Sequence, residues 1–337
     1  MKASQMMALV GLSGLITWGI VFLIRLLSQK VGLIQQPNER SSHVIPTPHG
    51  GGLGIVLVGS VYGLWLMLHN EDISADAGVI VFLSFVLAIV GLLDDKFHLP
   101  ATVRLLVQSL LCAGLLFWFT ESSINILLAV LITICLIAGI WWINLFNFMD
   151  GIDGIASSQA IFMLISAVFM IQFYHPDVIS ISSYWGWMLV LSASCLGFLW
   201  HNWQPAKIFM GDIGSTYLAF MLFAFAFISI SNDLLTLQFW LIIACLFICD
   251  ATVTLVRRVI RGEVWYQPHR KHLYQSLSRR LNSHSKVTLR FLLINLTILF
   301  PLAFISLLLP SMSIAILLVT YLVVAAVMFG MGAGASD

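Results

Sequence analysis

Residues 144–156 read NLFNFMDGIDGIA, and they follow a run, 124–143, apolar enough to cross a bilayer. Two amides and two carboxylates (Asn144, Asn147, Asp150 and Asp153) fall within ten residues, and another greasy segment begins directly after them. A spanning helix needs about 20 predominantly apolar residues, so the stretch reads as a polar site at the end of one membrane helix and the start of the next. The rest of the chain agrees. Of its 337 residues 60% are hydrophobic and only 9% charged, where a soluble domain carries about a quarter charged. The solvent for most of this chain is therefore lipid. A net charge of +1 gives no electrostatic case for nucleic acid. The five cysteines (Cys112, Cys135, Cys195, Cys245, Cys249) lie in apolar segments without metal or disulfide spacing and read as small core residues. The first apolar run is long and lacks a small-residue cleavage site, which predicts a retained first helix.

Working outward, about eleven spans are expected, at roughly 6–28, 51–69, 77–93, 103–119, 124–143, 155–173, 183–200, 213–231, 234–256, 287–309 and 312–333. The connections alternate between short ones (HNEDISADA, TESS, FYHPDVIS, SND, LPS) and longer ones that carry the rest of the charge. With the N-terminus outside, Arg25, Lys30, Arg40, Lys96, Arg104, Lys207 and the cluster from Arg257 to Arg290 fall on one side, and of the 16 Lys and Arg only Lys2 falls on the other. The positive-inside rule makes that side cytoplasmic. Aromatic pairs near span ends, such as Trp141–Trp142 and Trp200–Trp203, fit interfacial belts. The expected fold is all-α, a single polytopic transmembrane domain over 1–337, with the N-terminus outside and the C-terminus cytoplasmic. On the cytoplasmic face the map gathers NLFNFMDGIDG, GLLDDKFHLP (91–100), HNWQPAKIFMGDIGST (201–216), RRVIRGEVWYQPHRKHLYQ (257–275) and the 29–50 loop. That is the arrangement of a site shared by a water-soluble and a lipid-embedded substrate.

Each polar stretch has a plainer reading beside the chemical one. Asp94 and Asp95 could be a solvated helix end, but acids at a helix C-terminus oppose its dipole, so a metal or a lysine such as Lys96 is expected to compensate. Asn144 and Asn147 are three apart and share a face; Asp150 and Asp153 repeat the spacing, and a continuation on roughly the same face is expected. Hard oxygen ligands without cysteine suit Mg²⁺ or Mn²⁺ rather than Zn²⁺. Asp212, between two glycines, could be an N-cap or a metal-bound acid at a phosphate site; Phe209 could stack on a base or sit at the interface. His269, Arg270, Lys271 and His272 could mark topology or grip a pyrophosphate. HGGGLG (49–54) reads as a packing surface. Asp250, inside the ninth span, is either functional or paired with an arginine such as Arg257.

Taken together, LLDDKF, NLFNFMDGIDGIA and FMGDIGS, in that order and on one membrane face, resemble the polyprenyl-phosphate N-acetylhexosamine-1-phosphate transferase family. The similarity covers nearly the whole chain. PNERSSHVIPTPHGGG and HRKHLYQ resemble the branch that starts O-antigen and other surface-polysaccharide units. The resemblance implies an enzyme that moves sugar-1-phosphate from a UDP-N-acetylhexosamine to undecaprenyl phosphate, releases UMP and uses Mg²⁺, with Mn²⁺ a substitute. It implies Asn147 and Asp212 as metal ligands, and Asp94, Asp95, Asp150, Asp153 and His272 as the catalytic set. Phe209, Asn144, Asp153, Lys96, His269, Arg270, Lys271 and His43 are implied as substrate-binding. It allows a homodimer and leans to a 6-deoxy donor (FucNAc or QuiNAc type), with GlcNAc the other reading. Two departures argue against a muramoyl-pentapeptide substrate. His98 stands where that branch has a lysine, the lysine here being Lys96, and HRKH replaces three consecutive histidines. Direct attack by the lipid phosphate is the expected mechanism, against a covalent intermediate on an Asp. The rival from another class is a secondary transporter, whose polar residues would lie near the midplane on repeated broken helices. A CDP-alcohol phosphatidyltransferase would need an arginine and further acids after Asp153-Gly154, where Ile-Ala-Ser-Ser-Gln stands.

Overall fold

The computed structural model describes residues 3–31, 34–35, 46–120, 125–180, 183–263 and 269–335. The architecture is all-α. The apolar runs form α1 (Ala3–Val31), α2 (Leu53–His69), α3 (Ser74–Phe97), α4 (Ala101–Trp118), α5 (Ile126–Met149), α6 (Ile155–Tyr174), α7 (Tyr184–Asn202) and α8 (Asp212–Ser231). They continue as α9 (Leu237–Ile243), α10 (Cys245–Ile260), α11 (Leu273–Leu281), α12 (His284–Ile294), α13 (Phe300–Leu308) and α14 (Ser313–Met331). A two-residue antiparallel ladder, β1 (Ile34–Gln35) with β2 (Thr47–Pro48), is the sole sheet among the described residues.

Several helices start where a short polar side chain replaces the first missing backbone acceptor. Asn125 Oδ1 accepts from Leu128 N at 2.9 Å, Thr236 Oγ1 from Phe239 N at 3.2 Å and Ser283 Oγ from Lys286 N at 3.3 Å. In lipid every backbone group must find its partner within the protein, and uninterrupted apolar helices meet that demand cheaply. The core lies where α2 and α3 pack against α7 and α8, with α6 alongside, around the fully buried rings of Trp187, Tyr217, Phe220 and Phe225. The outer helices turn Leu, Ile, Val and Phe outward, as on the exposed faces of α5 and α14, which lipid covers.

Every expected span is helical, with two corrections. Among the described residues, eight helical runs are long and apolar enough to cross a bilayer, and a bent pair makes a ninth. That pair is the expected span 234–256, which is not continuous: α9 and α10 meet at Ala244 with a bend of 71°. The break frees carbonyls, and side chains of α6 and α14 take them: Gln159 Nε2 donates to Ile243 O at 2.9 Å and Tyr321 Oη to Leu241 O at 2.8 Å. The expected span 287–309 starts at His284 and carries a π-turn, Asn295–Leu299, between α12 and α13. The remaining two expected spans are α2, which is short, and α7, whose ends are aromatic and polar. The chain is a multi-pass membrane protein.

Candidate active site

The acidic motifs meet where the last turn of α3 touches the first turn of α8. Asp95 Oδ1 accepts from Asp212 N at 3.0 Å and its Oδ2 from Ile213 N at 3.3 Å, so its carboxylate caps the N-terminus of α8, the positive end of that helix dipole. The approach needs Gly211, at φ +76°, where a Cβ would lie 2.6 Å from Asp95 Oδ2. The Asp212 carboxylate lies against Asp94 and Asp95 and takes a hydrogen bond from the Asn147 amide. Arg104, from the first turn of α4, places Nη1 2.5 Å from Asp94 Oδ2 and 3.7 Å from Asp212 Oδ2. Leu99 N donates to Asp94 Oδ1 at 2.7 Å. The compensating cation is thus Arg104; Lys96, given that part in the sequence reading, is exposed with its Nζ over the Phe97 ring.

Asp150 closes α5. Burial, reinforced by the Asp95 and Asp153 carboxylates, holds its carboxyl well above the ordinary range. The shared face expected from Asn144 to Asp153 does not run through. α5 stops at Met149, and 150–154 form a turn that ends at Gly154 with φ +76°, before α6 begins. Only Asn147 turns to Asp212. Asn144 Nδ2 donates to Gln108 Oε1 of α4 at 2.6 Å and to Ile140 O at 2.8 Å. Asp153 is buried: its Oδ1 is 3.0 Å from His284 Nδ1, and its Oδ2 accepts from Ala206 N at 3.1 Å. Asn202 fastens the turn from behind, accepting from Gly154 N and donating to Ile208 O, both at 2.9 Å.

The glycine run is a packing surface, as read. Gly51 N and Gly52 N donate to Phe209 O and Met210 O, both at 2.9 Å, and Phe209 N donates to Pro48 O at 2.8 Å. Phe209 is partly exposed on this stitched segment, between the glycine run and Asp212. His43 lies outside the described residues.

The basic segment is held in place beside the turn. Asp250 does not pair with Arg257. It caps α11, accepting from Leu273 N at 2.7 Å and Tyr274 N at 2.9 Å, with Thr254 Oγ1 at 3.3 Å. Tyr274 Oη donates to Phe148 O at 2.7 Å, next to Asp150. His272 is buried among Phe148, His269 and Tyr274 rings, with Nδ1 3.6 Å from Asp250 Oδ1. Burial, reinforced by the neighbouring His272, Arg258 and Lys271 side chains, pushes His269 down to about 3; its Nδ1 accepts from Lys271 N at 3.2 Å. Lys271 Nζ is committed to Glu263, at 2.8 and 2.9 Å, and Arg270 is exposed.

The metal expectation can be weighed on these donors. The Asp212 carboxylate and the Asn147 amide, in hydrogen-bond contact, each carry a hard oxygen. Among the described residues no three His, Cys, Asp or Glu side chains form a closed cage. Mg²⁺ is ordinarily bound by one or two carboxylates plus substrate phosphates and water, so the donor set fits it.

A family model described as glycosyl transferase family 4 matches residues 77–231, the segment from α3 to α8 that holds all the acids of the cluster. The decaprenyl-phosphate N-acetylglucosaminephosphotransferase of Mycobacterium leprae (strain TN) is 30% identical over 327 residues, covering 84% of this chain and 79% of that one. The chain belongs to the polyprenyl-phosphate N-acetylhexosamine-1-phosphate transferase family. Two further relatives are the probable undecaprenyl-phosphate N-acetylglucosaminyl 1-phosphate transferase of Bacillus subtilis (strain 168), 29% identical over 76% of this chain and 72% of its own length, and the undecaprenyl-phosphate alpha-N-acetylglucosaminyl 1-phosphate transferase of Escherichia coli (strain K12), 24% identical over 79% and 74%. As a transferase of this family with its multiple apolar helices, the protein resides in the bacterial inner membrane. Sequence reasoning missed the chemical placement of Arg104, which it counted only as a marker of sidedness. Its position one turn past Leu99-Pro100, where the chain reverses into α4, was the available signal. Gln108, Asn202, Tyr274 and His284 carried no signal; each acts across a long sequence separation.

Proposed function

We propose that the protein transfers N-acetylhexosamine 1-phosphate from a UDP-linked donor to undecaprenyl phosphate at the cytoplasmic end of its bundle. UMP is released, and the product is the first lipid-linked sugar of a surface polysaccharide. The observation that carries this reading is the meeting of Asp94, Asp95 and Asp212 with Asn147 and Arg104 at one end of the bundle. The one-sided distribution of Lys and Arg supports the orientation. The names of the relatives support GlcNAc as the sugar.

In the reaction an oxygen of the lipid phosphate attacks the β-phosphorus of the donor. The bond from that phosphorus to the oxygen bridging the α-phosphate breaks, and UMP departs with that oxygen. A phosphate monoester has its second pKa near 6, so the nucleophile needs no strong base at neutral pH. The demand on the protein is to let two anions approach. Arg104, held by Asp94, presents its remaining donors to phosphate oxygens. Burial and the neighbouring carboxylates disfavour the charged form of Asp150, which limits the negative charge in the pocket. Asp94 is ion-paired and Asp95 has both oxygens on backbone N–H groups, so neither is a free nucleophile, which supports direct attack. Asp212 and Asn147 would hold Mg²⁺. When bound there, the metal would neutralise charge on the diphosphate.

The test is purified protein in detergent with undecaprenyl phosphate and Mg²⁺. A panel of UDP-N-acetylhexosamines, 6-deoxy sugars included, is offered and UMP release followed, with Asp212→Ala as control. Release that requires lipid, metal and Asp212 is expected, with UDP-GlcNAc preferred. A phosphosugar trapped on Asp94 or Asp95 in the absence of lipid would overturn direct attack.

A further inference from the structure

The end of α14 folds back onto the basic segment. Arg257 Nη1 donates to Phe329 O at 3.2 Å and Ala333 O at 3.1 Å, and its guanidinium lies 4.4 Å from the centroid of the Phe329 ring. Arg261 Nη1 donates to Gly334 O at 3.3 Å, and Arg280 Nη1 to Met331 O at 3.2 Å. Three cations from the end of α10 and from α11 therefore hold carbonyls at and just beyond the C-terminus of α14. One bond runs the other way: Gly334 N donates to Lys271 O at 2.8 Å. Ala333 is fully buried.

This contact falls at a mechanically sensitive place. Two residues past Lys271, the Asp250 carboxylate holds Leu273 N and Tyr274 N, and Tyr274 Oη reaches Phe148 O beside the Asp150 turn. The backbone of His272 is thus suspended between two fixed points, Gly334 on one side and Asp250 on the other. Lys271 is fixed a third way, through its ammonium on Glu263. Position 334 admits only glycine. Its φ is +68°, and an added Cβ would lie 2.8 Å from Thr254 O and 3.0 Å from Thr254 Cα, backbone atoms of α10 that cannot step aside.

We propose that residues 332–335 are a positioning clasp for the 269–272 segment, with Gly334 the positioning residue that sets where Arg270 and His272 stand when the donor's diphosphate binds. The clasp acts through the backbone and touches no substrate. The proposal rests on the functional reading above for what the segment grips, and on the hydrogen bonds alone for what holds it.

The test uses full-length protein in detergent, with hydrogen–deuterium exchange across 269–276 and donor kinetics measured together. Gly334→Val is expected to speed exchange in 269–276, leave 212–231 unchanged, and raise KM for the UDP-sugar on the order of tenfold or more, the scale expected of an ångström-sized misplacement. A tail that matters only for folding would lower the active fraction, hence apparent kcat, and leave KM alone. A chain shortened after Ala333 keeps the Arg257 bonds, removes the Gly334 bonds to Lys271 and Arg261, and is expected to behave like Gly334→Val. Gly330→Ala, where an added Cβ meets nothing within 4 Å, is expected to change neither readout. Unchanged exchange in 269–276 in the shortened chain, or faster exchange with unchanged KM, would overturn the proposal. If the unaltered protein released no UMP, the functional reading would fall, and exchange alone would still decide whether the tail holds the segment.

Discussion

Asp95 and Asp250 do the same job in two places, and their surroundings make them different. Each carboxylate caps a helix by accepting from two successive backbone N–H groups, Asp95 at α8 and Asp250 at α11. Around Asp250 stand Thr254, His272 and backbone; among the described residues no second acid shares a hydrogen bond or ion pair with it. Its charge is used up in holding α11. Around Asp95 stand Asp94 and Asp212 against the guanidinium of Arg104. That excess of negative charge is costly in a protein interior unless a cation joins it. A capped acid alone marks architecture; a capped acid among other acids marks a place whose charge suits a cation.

The contrast can be broken at either end. The largest effect is expected from Asp212→Ala, a loss of UMP release on the order of 10³-fold with thermal stability unchanged or raised, because one uncompensated acid has gone. Next is Arg104→Ala, on the order of 10²-fold in kcat/KM, with only partial rescue by Arg104→Lys, since an ammonium lacks the planar fork. Asp250→Asn sharpens the other side: one oxygen and the charge are lost, and a destabilisation of about 2 kcal/mol is expected. It should appear as a lower unfolding midpoint in detergent, with activity per folded molecule nearly intact. The smallest effect belongs to Glu263→Gln. Lys271, helped by Arg258, holds the Glu263 carboxyl below its ordinary 4.5, so its contribution is present above that pH and fades on acidification. Partly exposed pairs contribute about 1 kcal/mol or less, so thermal melts should show a loss of stability of that size at pH 7 that shrinks as the pH falls below 4.5.

Much of this was legible in the chain. The apolar runs end within a few residues of their helices: 155–173 became Ile155–Tyr174 and 213–231 became Asp212–Ser231. Hydropathy reports what lipid demands, and lipid demands most of this fold. The DD, NxxN and GD motifs are also local, and their convergence followed from placing every motif at the same ends of alternating spans. What escaped depends on partners far along the chain. Nothing in LIIACLF forecasts the bend at Ala244, because no Pro or Gly stands there and the compensation comes from Gln159 and Tyr321. The face predicted from Asn144 to Asp153 failed because Gly151 and Gly154 end the helix, sending Asp153 to His284 and Ala206. Arg104 looked like a topology charge until Asp94 was seen against it.

The most direct test of the acid-excess claim is Mn²⁺ binding, followed by electron paramagnetic resonance, to detergent-purified protein with UDP-N-acetylglucosamine present. Wild type and Asp250→Asn should each bind one ion per chain with closely similar affinity, and Asp212→Ala should bind none in the same range. Retained binding in Asp212→Ala, or its loss in a folded Asp250→Asn, would contradict the assignment of the α3–α8 cluster as the cation-recruiting centre.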